Sequence, residues 1–301
     1  MSEANLLLAD EELTLLAATE RQANWRRLWF ELRRSTKGLV GAIIVTVAIV
    51  AAVGAPLLAP YSPTDQVVED KFAPPSFSHP FGADNLGRDI LSRTLYGGRV
   101  SLAIGFLVVA IAATVGSILG GIAGYWGGFV DTLIMRLVDL QLSFPFILLA
   151  MIFLAILGPG FWSVLIALAV ALWVNYARLV RGESLKLREL EFVQAAQTIG
   201  VSKRRIVFSH ILPNVMQSIL VLATLDMAFV IIFESSLTFL GLGIQPPTAS
   251  WGIMLSDGRN YLQESPWMSV FPGAAIVLTV VGINLFGDWL RDVLDPSLQV
   301  R

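Results

Sequence analysis

Cysteine is absent from this 301-residue chain, which removes disulfides, Cys-ligated zinc, iron–sulfur clusters and thiol nucleophiles together. Charge is scarce as well: Asp, Glu, Lys and Arg make up 15% of the residues, against roughly a quarter in soluble domains. So few charges cannot cover a water-facing sphere, and a soluble globular domain is excluded. The formal net charge of −2 gives no basic excess to neutralise a nucleic-acid backbone, so nucleic acid is not an expected partner. Two histidines, His79 and His210, are too few for a His-rich metal site, and no metal is expected. Gly-x-x-x-x-Gly-Lys-Ser/Thr, His-Glu-x-x-His and Gly-x-Ser-x-Gly are all missing. The chain therefore has no P-loop of its own and no catalytic residues, and it is not expected to be an enzyme.

What is abundant is apolar sequence, at 55% hydrophobic residues and a mean hydropathy of +0.70. A hydrocarbon core of about 30 Å needs about 20 apolar residues per helix. Six runs of that kind occur: Leu39 to Leu58, Val100 to Ala123, Leu137 to Leu157, Trp162 to Leu179, Val215 to Leu240 and Val270 to Leu290. The expected fold is an all-α polytopic membrane protein with six transmembrane helices. Lys and Arg are unevenly shared between the loops: six precede the first run, one lies between runs two and three, seven lie from Arg178 at the end of run four to the start of run five, and two follow the last. By the positive-inside rule these loops and both termini are cytoplasmic. The chain then divides into a cytoplasmic segment at 1–37, a transmembrane domain at 38–290 and a cytoplasmic tail at 291–301. An extracytoplasmic loop falls at about 59–99 and a cytoplasmic loop at about 180–212. The mixture of Trp25, Arg26, Arg27, Trp29, Phe30, Arg33 and Arg34 fits either a helix lying in the headgroup layer of the lipid or a plain positive flank.

Within the spans, Gly116, Gly120, Gly124 and Gly128 recur every fourth residue and form a shallow groove for a neighbouring helix. Asp139, Asp226 and Glu234 are costly at membrane depth, so each must face protein or water. Asp226 and Glu234 lie eight residues apart, about 80° around one helix. They suit either a proton relay or structural hydrogen bonds. Asn175, Gln217, Thr224 and Asn284 are further polar candidates for a pathway lining.

The cytoplasmic loop carries the densest signal. From Glu191 through Gln194, Ala195 and Ala196 good helix formers run to Gly200, and Ser202 then stands as a new N-cap. Ala195 and Ala196 are small enough to seat a helix in a partner's groove, with Lys203, Arg204 and Arg205 beside them for charge complementarity. Ala195-Ala196, three residues, Gly200, nine residues and then His210, one residue, Leu212 and Pro213 resembles the EAA loop of ATP-binding-cassette importer permeases. Gln194 stands where that family usually has Glu, and His210 where it has Ile. Glu-Phe-Val-x-Ala-Ala with His-Ile-Leu-Pro-Asn is similar to the dipeptide and oligopeptide branch. The blocks at 82–102, 234–252 and 287–296 also look like its C-type subunit. The resemblance implies a type I importer permease in a bacterial inner membrane, with the loop as a coupling helix. It also implies a paralogous permease completing a heterodimer, two cytoplasmic ATPase subunits that hold ATP and Mg, and an extracytoplasmic binding protein that delivers the cargo. The cargo implied is a di- or oligopeptide. Nickel chelate, haem or another small solute suits the same architecture, and a proton-coupled secondary transporter using Asp226 and Glu234 is the alternative of a different class.

Overall fold

In a computed structural model, residues 29–294 are described. The expected flank at Trp25, Arg26 and Arg27 lies outside them, as do most of the 1–37 segment and the tail beyond Leu294. Residues 29–34 are helical, Arg33 sits 4.8 Å over the Trp29 ring, and Trp29 and Phe30 are exposed.

The described residues form an all-helical bundle: α1 (Thr36–Val53), α2 (Ile90–Trp126), α3 (Gly128–Leu142), α4 (Phe146–Leu157), α5 (Phe161–Arg188), α6 (Glu191–Thr198), α7 (Lys203–Phe239), α8 (Trp251–Gly258) and α9 (Trp267–Leu294). Side-chain caps mark several starts. Ser35 accepts the Gly38 N–H before α1, Asp89 the Ser92 N–H before α2, and Ser250 the Ile253 N–H before α8.

Helices α1, α2, α5, α7 and α9 are each long and apolar enough to cross a bilayer. The third expected span, Leu137 to Leu157, is not one straight rod but covers the end of α3 and all of α4, two helices bent by 92°. Pro145 explains the break: it cannot donate a helical hydrogen bond, and it pushes Phe144 out of the helical region. The chain turns instead on local bonds, with the Ser143 N–H donating to Asp139 O and the Phe144 N–H to Gln141 O. Gln141 also donates to the carbonyls of Val170 and Ala171 and accepts from the Trp173 indole, which pins the bend to α5.

The helices also outrun the apolar sequence. α2 has 37 residues, about 55 Å at 1.5 Å per residue, well beyond the hydrocarbon core. It begins ten residues before the expected span, so the loop between the first two spans covers only 59–89. At the other end α5 continues to Arg188 and α7 begins at Lys203, so most of the expected 180–212 loop is helix. In α7 the turn at Val207–Ile211 is π-helical, just before Pro213, which has no N–H to donate back to Ser209.

Lipid tails are as apolar as leucine, so close backbone approach rather than water exclusion holds the bundle together. The α2–α5 contact is the largest between helices. A Cβ at Gly116 or Gly120 would collide with the carbonyl oxygens of Trp173 or Ala177, and one at Gly124 would lie 2.8 Å from that of Arg181. Gly128 does not continue this stripe. It follows Gly127, both with positive φ, and nothing lies within 4 Å of a Cβ built there. These two glycines make the corner between α2 and α3. Ile104, Val108, Leu168, Leu172, Tyr176 and Val215 fill the centre between α2, α5 and α7.

Candidate functional site

At one end of the bundle α6 touches the rest of the chain through one narrow face. Val193 and Ala196 are buried against Tyr125, Ile206, Val207 and Ile211. Glu191, Phe192, Gln194, Ala195, Gln197, Thr198 and Ile199 are exposed, Ile199 at 80%. The two alanines therefore part company: Ala195 faces outward, whereas Ala196 is only 7% exposed and packs inward. The helix ends in a Schellman motif. The Val201 N–H donates to Ala196 O and the Gly200 N–H to Gln197 O, with Gly200 at φ +83°. Ser202 takes the extended N-cap backbone before α7, and its carbonyl, not its hydroxyl, receives the Ile206 N–H. Lys203, Arg204 and Arg205 are exposed beside it. The His210 carbonyl accepts from Asn214 Nδ2, Leu212 is half-buried against the α6 cluster, and Pro213 is exposed. Nearby, Arg181 on α5 grips Asp131 on α3 with both Nε and Nη2, a partly exposed pair.

The other end is built from charge that sequence reasoning did not group. Asp84 Oδ2 accepts from Arg88 Nε at 2.7 Å and Arg93 Nη1 at 2.9 Å, and both arginines also donate to Asp257 Oδ2 on α8, at 3.1 and 3.2 Å. Asp84, Arg88 and Arg93 are buried. Burial pushes the Asp257 carboxyl above the usual carboxylate range, opposed by Arg88 and reinforced by Asp84. His79 is buried between Asp89 (Nδ1, 2.9 Å) and Asp70 (Nε2, 3.4 Å), with Tyr61 stacked on its ring. The Trp251 indole donates to Thr94 O and the Trp267 indole to Ala83 O. The 59–89 loop, α2, α8 and α9 are thereby locked into one joint.

Residues 116–300 match a family described as the binding-protein-dependent transport system inner membrane component. The chain belongs to that family. Residues 24–75 of this permease match the N-terminal transmembrane domain of oligopeptide transport permease C. The permease is 45% identical over 275 residues to the dipeptide transport system permease protein DppC of Alkalihalophilus pseudofirmus, covering 91% of this chain and 90% of that one. It is 41% identical to the oligopeptide transport system permease protein OppC of Bacillus subtilis, over 91% and 90% of the two chains. With the glutathione transport system permease protein GsiD of Escherichia coli O6:K15:H31 it shares 43% identity, over 95% of each. Among solved structures, an inward-facing MetNI methionine ABC transporter matches with a TM-score of 0.54 and 18% identity, over 67% of this chain and 96% of that one. That likeness establishes a shared fold.

The three acidic candidates of the permease fall in different settings. Asp139 lies on α3, exposed, with Arg178 3.9 Å away, so it is not a buried intramembrane charge. Glu234 is fully buried and accepts from Ser101 Oγ, Thr238 Oγ1 and Ser235 Oγ. Asp226 is 8% exposed and faces the Tyr176 hydroxyl. A cavity of about 670 Å³ opens between α2, α7 and α9, walled by Phe106, Phe208, Met216 and Phe286 and holding Thr224 and Ser117. Gln217 lies on a second cavity of about 420 Å³, with Ser218 and Arg291. Asn175 is exposed on α5, and Asn284 is half-buried on α9.

Proposed function

We propose that this permease forms half of the translocation pathway of an ATP-driven importer of di- or oligopeptides. A paralogous permease supplies the other half, two cytoplasmic ATPases hold ATP and Mg, and an extracytoplasmic binding protein delivers the cargo. The observation that carries this reading is the exposed face of α6: a short helix with outward Phe192, Ala195 and Ile199 and a basic margin at Lys203–Arg205, set on a narrow inward contact. An apolar patch rimmed by charge is the form of a protein-docking surface. In this reading α6 and both termini face the cytoplasm, and the 59–89 loop faces outward. Peptide as cargo rests on the names of the relatives. The hydroxyls that satisfy Glu234 favour a structural role for it over a proton relay with Asp226.

The test is to purify the complex from its native membrane, rebuild it in lipid nanodiscs or vesicles, and follow ATP hydrolysis and uptake of labelled dipeptides, oligopeptides, nickel chelate and haem. ATP-dependent peptide uptake is expected. Uptake by the single chain on a proton gradient without ATP would contradict the reading.

A further inference from the structure

The most exposed large hydrophobic side chain of the described residues is Phe77, at 109% of its reference area, at the tip of the 59–89 loop. Its setting is not that of a loose tip. Pro74 and Pro75 precede it and Pro80 follows. The turn closes on itself: the Ser76 N–H donates to His79 O at 2.8 Å, the His79 N–H to Ser76 Oγ at 3.1 Å, and the Gly82 N–H to the same His79 carbonyl at 2.8 Å. The Ser76 and Ser78 hydroxyls are bonded across the tip at 3.0 Å. Beneath it, buried His79 is held by Asp89 and Asp70, and Asp89 in turn caps α2. The chain has thus fixed an exposed aromatic ring on a hydrogen-bonded base, which wastes apolar area unless something covers it. Large rigid aromatics presented in this way are what protein interfaces use as anchors, because little entropy is left to lose on binding.

We infer that Phe77 is an anchor by which a soluble extracytoplasmic binding protein docks on this permease. The inference rests on the importer reading and on its assignment of the 59–89 loop to the outer face. The surrounding charge favours a protein over lipid. Asp65, Glu69 and Asp70 outnumber Lys71 on the same loop, a balance that anionic headgroups repel. The base of the turn also has a route inward. Asp89 caps α2, and Arg88 just before it and Arg93 in its first turn bond to Asp257 on α8, so a load placed on Phe77 reaches two helices through bonded groups.

Two experiments on the reconstituted complex with its own binding protein test this. Phe77→Ala is expected to raise the half-saturating concentration of binding protein in stimulated ATP hydrolysis by about tenfold or more, the cost of truncating a central aromatic anchor. The maximal stimulated rate should be kept, and Phe77→Tyr should restore affinity. Because the chain has no native Cys, a spin label at Phe77→Cys gives the second readout. It should be reached by a water-soluble relaxant in nanodiscs alone and become shielded when the binding protein is added. A label reached by oxygen within the bilayer, or one indifferent to the binding protein, would overturn the inference, as would Phe77→Ala with unchanged affinity. A wild-type complex that responds to no binding protein would instead bring down the importer reading, and this inference with it.

Discussion

The two ends of this molecule are held by opposite means. Around Asp84, Arg88, Arg93 and Asp257, three buried charged side chains from the loop and the start of α2 and a partly buried one from α8 are bonded to one another. Around α6, two small inward residues and a Schellman turn hold an eight-residue helix whose remaining side chains stand in solvent. A buried charge network tolerates no half-measures, since each group is costly without its partners. A narrow apolar seat allows a helix to be pushed as a unit. In the proposed reading this difference divides the labour: one end would be a rigid receiver, the other a lever, and α2 and α5, packed glycine to backbone, connect them.

Charge removal gives the largest expected contrast. Asp84→Asn leaves buried Arg88 and Arg93 with Asp257 as their one remaining anionic partner, and should cost about 3–5 kcal/mol of stability. Asp131→Asn at the other end breaks a partly exposed pair and should cost about 1 kcal/mol or less. Thermal unfolding of the detergent-solubilised complex measures both, and equal losses would erase the distinction between the ends.

Next in size is Gly200→Val. The residue sits at φ +83° with open space around it, so the penalty is backbone strain of about 1–2 kcal/mol, confined to the α6 turn. ATP hydrolysis should persist while uptake falls. Uptake at the wild-type ratio to hydrolysis would show that the turn is not a coupling element.

A smaller effect separates the two carboxylates of the joint. The folded-state value of Asp257 is raised above its unfolded one, so the folded state holds the extra proton more tightly. Its contribution to stability therefore grows as pH falls through that raised value and is lost as pH rises above it. Asp257→Asn should flatten this part of the pH profile of the melting temperature and cost less than Asp84→Asn. A steeper profile in the variant would reverse the assignment.

The smallest change in stability should come from Ile199→Ser, within about 0.5 kcal/mol because the side chain is exposed. Its expected effect is on uptake, and wild-type uptake would remove Ile199 from the docking face.

These contrasts also explain which parts were legible in the sequence. Apolar runs located the membrane helices, because a bilayer imposes length and composition on any helix that crosses it. The break at Ser143 to Pro145 was hidden, since hydropathy averages over one proline in an apolar run. The α6 turn was legible because Glu191, Gly200 and Ser202 act within one stretch of chain. That only one of two adjacent alanines faces outward depends on the rotation of α6 against Ile206 and Ile211, which spacing alone does not fix. The ionic joint was not legible at all. Arg88 and Asp257 are 169 residues apart, Arg93 and Asp257 are 164 apart, and the two arginines looked like ordinary loop charges.

The most direct test of α6 as the docking lever uses the absence of native Cys. Single cysteines at Ala195 and Ala196 would be cross-linked in the assembled complex with a short bifunctional reagent. Cross-linking of Ala195→Cys to the ATPase, changing in yield during turnover, with little or none from Ala196→Cys, is the predicted result. An Ala195→Cys that remains unlinked while Ala196→Cys links, or silence at both and at Phe192 and Ile199, would contradict it.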